Sequence, residues 1–189
     1  MRILVLGSGL MGPAAAFNAL SDPDVSRVTL CDLDQGQLDG AQAKLRSLDG
    51  GDKLTTLALD LNDQQAATRL MADFDAIVGA LPWAAVGSGI RAAVGAGTPL
   101  VDLARPVETE LADLKRAVEA AGGLVILGCG VEPGLTEIMA RYLADKLDQV
   151  DELHIKCGGI PGHPTPPLGY KIVFGGRHLP LREEDAHIV

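Results

Sequence analysis

The chain has 189 residues, 47% hydrophobic and 3% aromatic, enough for one domain, or one domain and the start of another, around an aliphatic core. Its 25 acidic residues outnumber 16 basic ones for a formal charge of -9, with no Lys/Arg cluster, which argues against a nucleic-acid partner. No apolar run has membrane-spanning length, and the run after Met1 is too short for a signal-peptide core, so a soluble, cytoplasmic protein with no membrane partner is expected.

Short apolar runs alternate with longer helical patterns. Residues 2–6 predict the first strand, and 11–20 a helix behind a glycine loop. Strand 27–31 leads into helix 35–48, strand 54–59 into helix 64–71, and strand 76–80 into helix 85–96. Strand 100–103 precedes helix 108–121, where Leu111, Leu114 and Val118 recur at helical spacing before Gly122-Gly123. Strand 124–127 and a helix over 135–147, with Ile138, Met139, Tyr142, Leu143 and Leu147 on one face, complete the series. The strand candidates are continuously apolar, as in parallel strands covered on both faces. The series predicts a doubly wound α/β Rossmann fold with strand order 3-2-1-4-5-6.

After Val150 the pattern changes. Residues 152–157 alternate like a strand with one wet face, 158–169 form a Gly/Pro-rich loop, and 170–174 make another short strand candidate. The division expected is 1–150 for a dinucleotide-binding domain and 151–189 for the beginning of a mixed α/β substrate domain. Two or three strands there have too few partners to form a sheet alone.

Gly7-Ser8-Gly9-Leu10-Met11-Gly12 is G-x-G-x-x-G, placed where a strand ends and a helix begins. Gly7 suits the tight turn, Gly9 the approach of a pyrophosphate, and Gly12 close packing of helix on strand. The helix N-terminus then offers its free N–H groups to the phosphates. Asp32, twenty positions after Gly12, stands where a carboxylate accepts from the adenosine ribose, with Leu33 beside it. A carboxylate there repels a 2′-phosphate, and no Arg or Lys follows before Lys44, so NAD is expected rather than NADP. Asp34 reads as a helix cap. Asp60-Leu61-Asn62-Asp63 ends the third strand, where adenine commonly lies, and one of its polar groups either touches the base or caps the next helix at Gln64.

Ligands of open α/β sheets lie beyond the carboxyl ends of the strands. Ala80, Leu81 and Pro82 should border the nicotinamide ribose, with Trp83 either near the ring or packed on the surface as a helix-start residue. Asp102 and Arg105 either hold the amino and carboxylate groups of a small substrate or pair with each other. Glu132 stands before Pro133-Gly134 at a helix start. Cys31, Cys129 and Cys157 are odd in number and far apart, and read as reduced, buried thiols. The four histidines show no metal-ligand spacing, so no metal is expected.

The fingerprint with Cys31-Asp32-Leu33, Gly79-Ala80-Leu81-Pro82, Val101-Asp102-Leu103 and Gly128-Cys129-Gly130-Val131-Glu132-Pro133-Gly134 resembles the saccharopine dehydrogenase-like oxidoreductases. Gly158-Gly159-Ile160-Pro161, Pro166-Pro167-Leu168-Gly169-Tyr170 and Val173-Phe174 look most like the lysine 6-dehydrogenase branch. The resemblance implies an NAD(P)-linked enzyme that oxidises an amino acid or amine at the carbon bearing nitrogen, with a second domain that also carries homodimer contacts. It implies that Asp102 and Glu132 border the substrate, and that Tyr170 or Lys171 reaches it from the second domain. Saccharopine-type members instead join or split an amino acid and a keto acid, and a non-catalytic NAD(H)-binding module is a further reading. Such enzymes are considerably longer, and here Phe174 runs directly into Gly175-Gly176-Arg177. A truncated chain, or residues missing around 174–175, is therefore expected.

Overall fold

The computed structural model describes residues 1–158, 161–166 and 169. The chain order is β1 (Arg2–Leu6), α1 (Gly12–Leu20), β2 (Arg27–Asp32), α2 (Gln35–Leu45), β3 (Leu54–Ala58), α3 (Gln64–Met71), β4 (Ala76–Gly79), α4 (Trp83–Ala96), β5 (Leu100–Asp102), α5 (Glu108–Ala120), β6 (Val125–Ile126) and α6 (Leu135–Ala144). The six strands form one sheet in the order β3-β2-β1-β4-β5-β6, and every pairing is parallel. This is the doubly wound Rossmann arrangement, with the chain reversing direction across the sheet between β1 and β4.

Continuous apolar strands serve a sheet covered on both faces. Ile3 and Val5 pack with Ala16, Leu20, Leu38 and Leu45 of α1 and α2. Leu4 and Leu6 face the other way, onto Met71 of α3 and Val86 and Ile90 of α4. The cover thins at the margins, where Leu57 of β3, Val101 of β5 and Ile126 of β6 are exposed.

Local chemistry sets the boundaries. Asp34 caps α2 by accepting from the Gln37 N–H at 3.1 Å, and Asp63 caps α3 by accepting from the Ala66 N–H at 2.9 Å. The second helix stops at Leu45 rather than at 48, and the Ser47 hydroxyl bonds the Lys44 carbonyl just beyond it. Helix α4 begins directly after Pro82, two residues earlier than its apolar period suggests.

The C-terminal part departs furthest from expectation. Helix α6 ends at Ala144 and buries none of its residues; Leu135, Ile138, Met139, Tyr142 and Leu143 are all exposed. Residues 152–157 form no strand. Alternation specifies which face is wet, but a ladder also requires a neighbouring backbone, and none pairs with this segment among the described residues. Cys129 and Cys157 are exposed, against the expectation of three buried thiols, and only Cys31 is buried. The strand candidate at 170–174 and the 174–175 junction lie outside the described residues.

Ile77, on the central strand β4, is fully buried. Ile77→Ala should lower the unfolding free energy by about 3 kcal/mol in urea denaturation.

Candidate functional site

The site begins where β1 ends. Gly7 has φ +94°, and a Cβ there would stand 2.5 Å from the Ala80 carbonyl oxygen. A Cβ on Gly12 would stand 1.7 Å from the Gly7 carbonyl oxygen. Only glycine admits these backbone contacts. They press the start of α1 onto the end of β1, and the end of β1 onto the β4–α4 turn. Gly9 differs: it is exposed, lines the cleft, and a Cβ there would meet nothing within 4 Å. The first turn of α1 holds no acidic residue and, unlike α2 and α3, the helix has no side-chain cap. Its N–H groups and positive dipole end remain free for an anion.

Beside this loop lies a cleft of about 550 Å³. Of the residues singled out in the sequence, Gly7, Gly9, Asp32, Leu33, Asp60, Leu61, Ala80, Leu81 and Pro82 line it. Ser8, Leu10, Met11 and Gly12 stand outside its walls: Ser8 is buried, Leu10 and Met11 are exposed, and Gly12 packs on Gly7. Trp83 opens α4 and is more than half exposed, away from the cleft lining.

Asp32, at the end of β2, accepts from the Ser8 N–H through Oδ2 and from the Asp34 N–H, at 2.9 Å, through Oδ1. The Ser8 hydroxyl donates to the Gln37 carbonyl at 3.2 Å. Glycine loop, β2 end and α2 start are thus one hydrogen-bonded unit, and each carboxylate oxygen keeps acceptor capacity for a ribose hydroxyl. Asp60 accepts from the Asn62 N–H at 2.8 Å. Among the described residues no lysine or arginine lines the cleft. Burial pushes the Cys31 thiol, also on the wall, up to about 12, and the neighbouring Asp32 charge adds to this, so it stays protonated.

Asn62, one of the polar groups that sequence reading set beside the adenine, does line the walls, whereas it missed Gln37, Leu59, Ala84, Ala85 and Ser88 there. The last three do have a signal, being small residues in the opening turns of the helix that leaves the fourth strand.

Asp102 ends β5, only 1% exposed, with its carboxylate over Gly79 of β4, where a Cβ would stand 1.9 Å from Oδ2. Its Oδ1 accepts from the Ala104 N–H at 2.8 Å, and Oδ2 is buried without a partner. Burial pushes this carboxyl up to about 6, the Ala104 N–H holding it back in part. Arg105 pairs with Glu108, at 3.8 Å, rather than with Asp102. Glu132 is exposed in the β6–α6 loop, where the Thr136 hydroxyl lies within reach of both its carboxylate and that of Glu137. The Gly134 N–H, ahead of the Thr136 hydroxyl, holds the Glu137 carboxyl down at about 2. Neither Asp102 nor Glu132 lines the cleft. Tyr170 and Lys171 lie outside the described residues. Among the described residues, no group of three or more His, Cys, Asp or Glu side chains is placed to hold a metal, and no helix is long and apolar enough to cross a membrane.

A glycine loop on a helix N-terminus, a carboxylate closing the second strand and a cleft at the sheet's switch point define an NAD(P)-binding domain. The family model for the saccharopine dehydrogenase NADP binding domain matches residues 3–127, and the chain belongs to that family. It is 25% identical over 189 residues to a saccharopine dehydrogenase [NADP(+), L-glutamate-forming] of Saccharomyces cerevisiae, covering 95% of this chain and 40% of the relative. It is also 25% identical to a carboxyaminopropylagmatine dehydrogenase of Synechocystis, covering 82% of this chain and 40% of that one. The chain thus spans about 40% of the length of these curated relatives.

Solved structures agree on the fold. Apo saccharopine dehydrogenase (L-Glu forming) from Saccharomyces cerevisiae superposes with a TM-score of 0.65 at 20% identity, covering 77% of this chain and 31% of that chain. Scyllo-inositol dehydrogenase from Lactobacillus casei, with bound NAD(H) and scyllo-inositol, gives 0.58 at 18% identity over 77% and 41%.

Asp102 supplies a pH test. Its carboxyl titrates near 6 folded and near 3.8 unfolded, so the folded chain binds this proton more tightly. That contribution is fully present below pH 3.8 and is lost as pH rises through 6. Asp102→Asn should remove it, changing the wild-type-minus-variant stability difference by about 3 kcal/mol between pH 3.5 and pH 7.5 in urea melts.

Proposed function

We propose that this chain is the cofactor-binding part of an NAD-dependent oxidoreductase that moves hydride between nicotinamide and an amine-bearing carbon of an amino acid. Residues 1–150 form the dinucleotide domain and 151–189 begin the substrate domain. The observation that carries the cofactor choice is the wall of the cleft. Among the described residues Asp32 and Asp60 stand on it with no lysine or arginine, so a 2′-phosphate at the adenosine ribose would meet negative charge from this wall without a cation of the described residues to offset it. Asp32 instead accepts the ribose hydroxyls while anchoring Ser8.

The dinucleotide, when bound, supplies the hydride chemistry; the protein supplies placement and water exclusion. The uncapped start of α1 and the open backbone at Gly9 receive the pyrophosphate. Ala80, Leu81 and Pro82 shape the wall toward the nicotinamide ribose. On this reading Asp102, which ends β5, and Glu132, in the β6–α6 loop, are the residues assigned to the substrate, with Tyr170 or Lys171 assigned from the second domain. On the lysine 6-dehydrogenase reading the substrate is a primary amine such as lysine, acted on in a homodimeric enzyme in the cytoplasm.

A second reading rests on the curated relatives, several of which are named as NADP(+), L-glutamate-forming saccharopine dehydrogenases. In it NADP+ oxidises the secondary amine that joins two amino-acid skeletons, and in the reverse, condensing direction NADPH reduces the imine formed from an amine and a carbonyl compound.

Titration of the chain with NADH and NADPH, followed through Trp83 emission, separates the two. NADH should bind at least about tenfold more tightly, and Asp32→Ala should weaken NADH about tenfold and close the gap. Tighter NADPH binding overturns the NAD reading in favour of the second. NAD+ reduction with lysine then supports the first substrate, and NADP+ reduction with saccharopine, releasing glutamate, the second.

A further inference from the structure

Gln64, the first residue of α3, is half-buried. Its Nε2 lies 2.6 Å from the Leu61 carbonyl oxygen and 3.1 Å from the Ser88 carbonyl oxygen. Both partners can only accept, so the NH2 end of the amide faces them and divides its two N–H bonds between them. Leu61 belongs to the β3–α3 loop and Ser88 to the second turn of α4, and both line the cleft. Among the described residues no other side-chain hydrogen bond ties this loop to α4.

The glycine loop takes the pyrophosphate at the middle of the cleft, and Asp32 takes a ribose on the β2 side. The adenosine half therefore lies toward β3, between the apolar surfaces of Leu33, Leu59 and Leu61 and the small residues Ala84 and Ala85 of α4. A flat base gains from such a slot only when the two walls keep their spacing, because dispersion contact falls steeply with each added fraction of an ångström. Among the described residues the one side-chain hydrogen-bonded clasp across this end of the cleft is the Gln64 amide.

We infer that Gln64 is a positioning residue, holding the Leu61 wall against the Ser88 wall so that the adenine slot is formed before the cofactor arrives. This rests on the reading of the cleft as a dinucleotide site. Preorganisation of this kind acts on affinity, since the cost of ordering the loop is removed from the binding step.

Gln64→Leu removes both N–H donors without adding charge, and Gln64→Glu keeps the shape while placing an acceptor against two carbonyls. Calorimetric titrations of both variants and the wild type with NADH, ADP-ribose and nicotinamide mononucleotide test the inference. NADH and ADP-ribose should weaken by about tenfold in both variants, while nicotinamide mononucleotide binds as to the wild type. Wild-type affinity for ADP-ribose in Gln64→Leu overturns the clasp. So does a parallel weakening of all three ligands with a lowered melting temperature, which marks a structural brace. Wild-type protein that is folded yet binds neither NADH nor ADP-ribose overturns the dinucleotide reading itself.

Discussion

At the carboxyl end of β1 three stretches of backbone meet with no side chain between them. Gly12 rests on the carbonyl of Gly7, and Gly7 rests on the carbonyl of Ala80. Everything functional is hung from this contact. It brings the start of α1 to the sheet with its N–H groups uncapped, and joins the loops after β1 and β4, between which the strand order reverses. A methyl group at either glycine would separate them. The aliphatic layers on both faces supply rigidity beneath, with Val5 of β1 on one side and Leu4 and Leu6 on the other.

Around that contact the carboxylates are divided by environment rather than by type. Asp32 is held by two backbone N–H groups at the cleft wall, anchoring the loop and turning its remaining lone pairs outward. Asp75, on the surface at the opposite, amino end of the strands, is held below the usual carboxylate range by the side chain and N–H of Arg2. Asp102 goes the other way, because burial over Gly79 leaves one oxygen without a partner. Burial thus gives Asp102, at the carboxyl end of the sheet, a carboxyl that titrates near 6, while the Arg2 pairing lowers that of Asp75 at the opposite end.

The sheet narrows toward β6. That strand has only two residues, its Ile126 is exposed, and the helix after it buries nothing. Four of the five apolar positions that the sequence marks as one face, Ile138, Met139, Tyr142 and Leu143, lie along α6, while Leu147 falls beyond its end at Ala144. A stripe of this kind states that a helix has something to bury. It does not state against what.

Strands, helices, glycine loop and the acid at the end of β2 were legible in the amino-acid order, because each rests on short-range physics: apolar period, cap chemistry, and the need for glycine where backbones touch. The strand order followed from right-handed crossover rules applied to that series. What only the tertiary structure decided is which side chains share a wall. Ala84, Ala85 and Ser88 reach the cleft because α4 starts at Pro82 and runs beside it, and Gln64 spans from Leu61 to Ser88 although 24 positions separate it from the latter. Burial of the three cysteines and pairing of residues 152–157 were likewise outside local reach, since both depend on which other segment lies opposite. Sequence period records what a residue prefers to face, and only the packed chain supplies the neighbour.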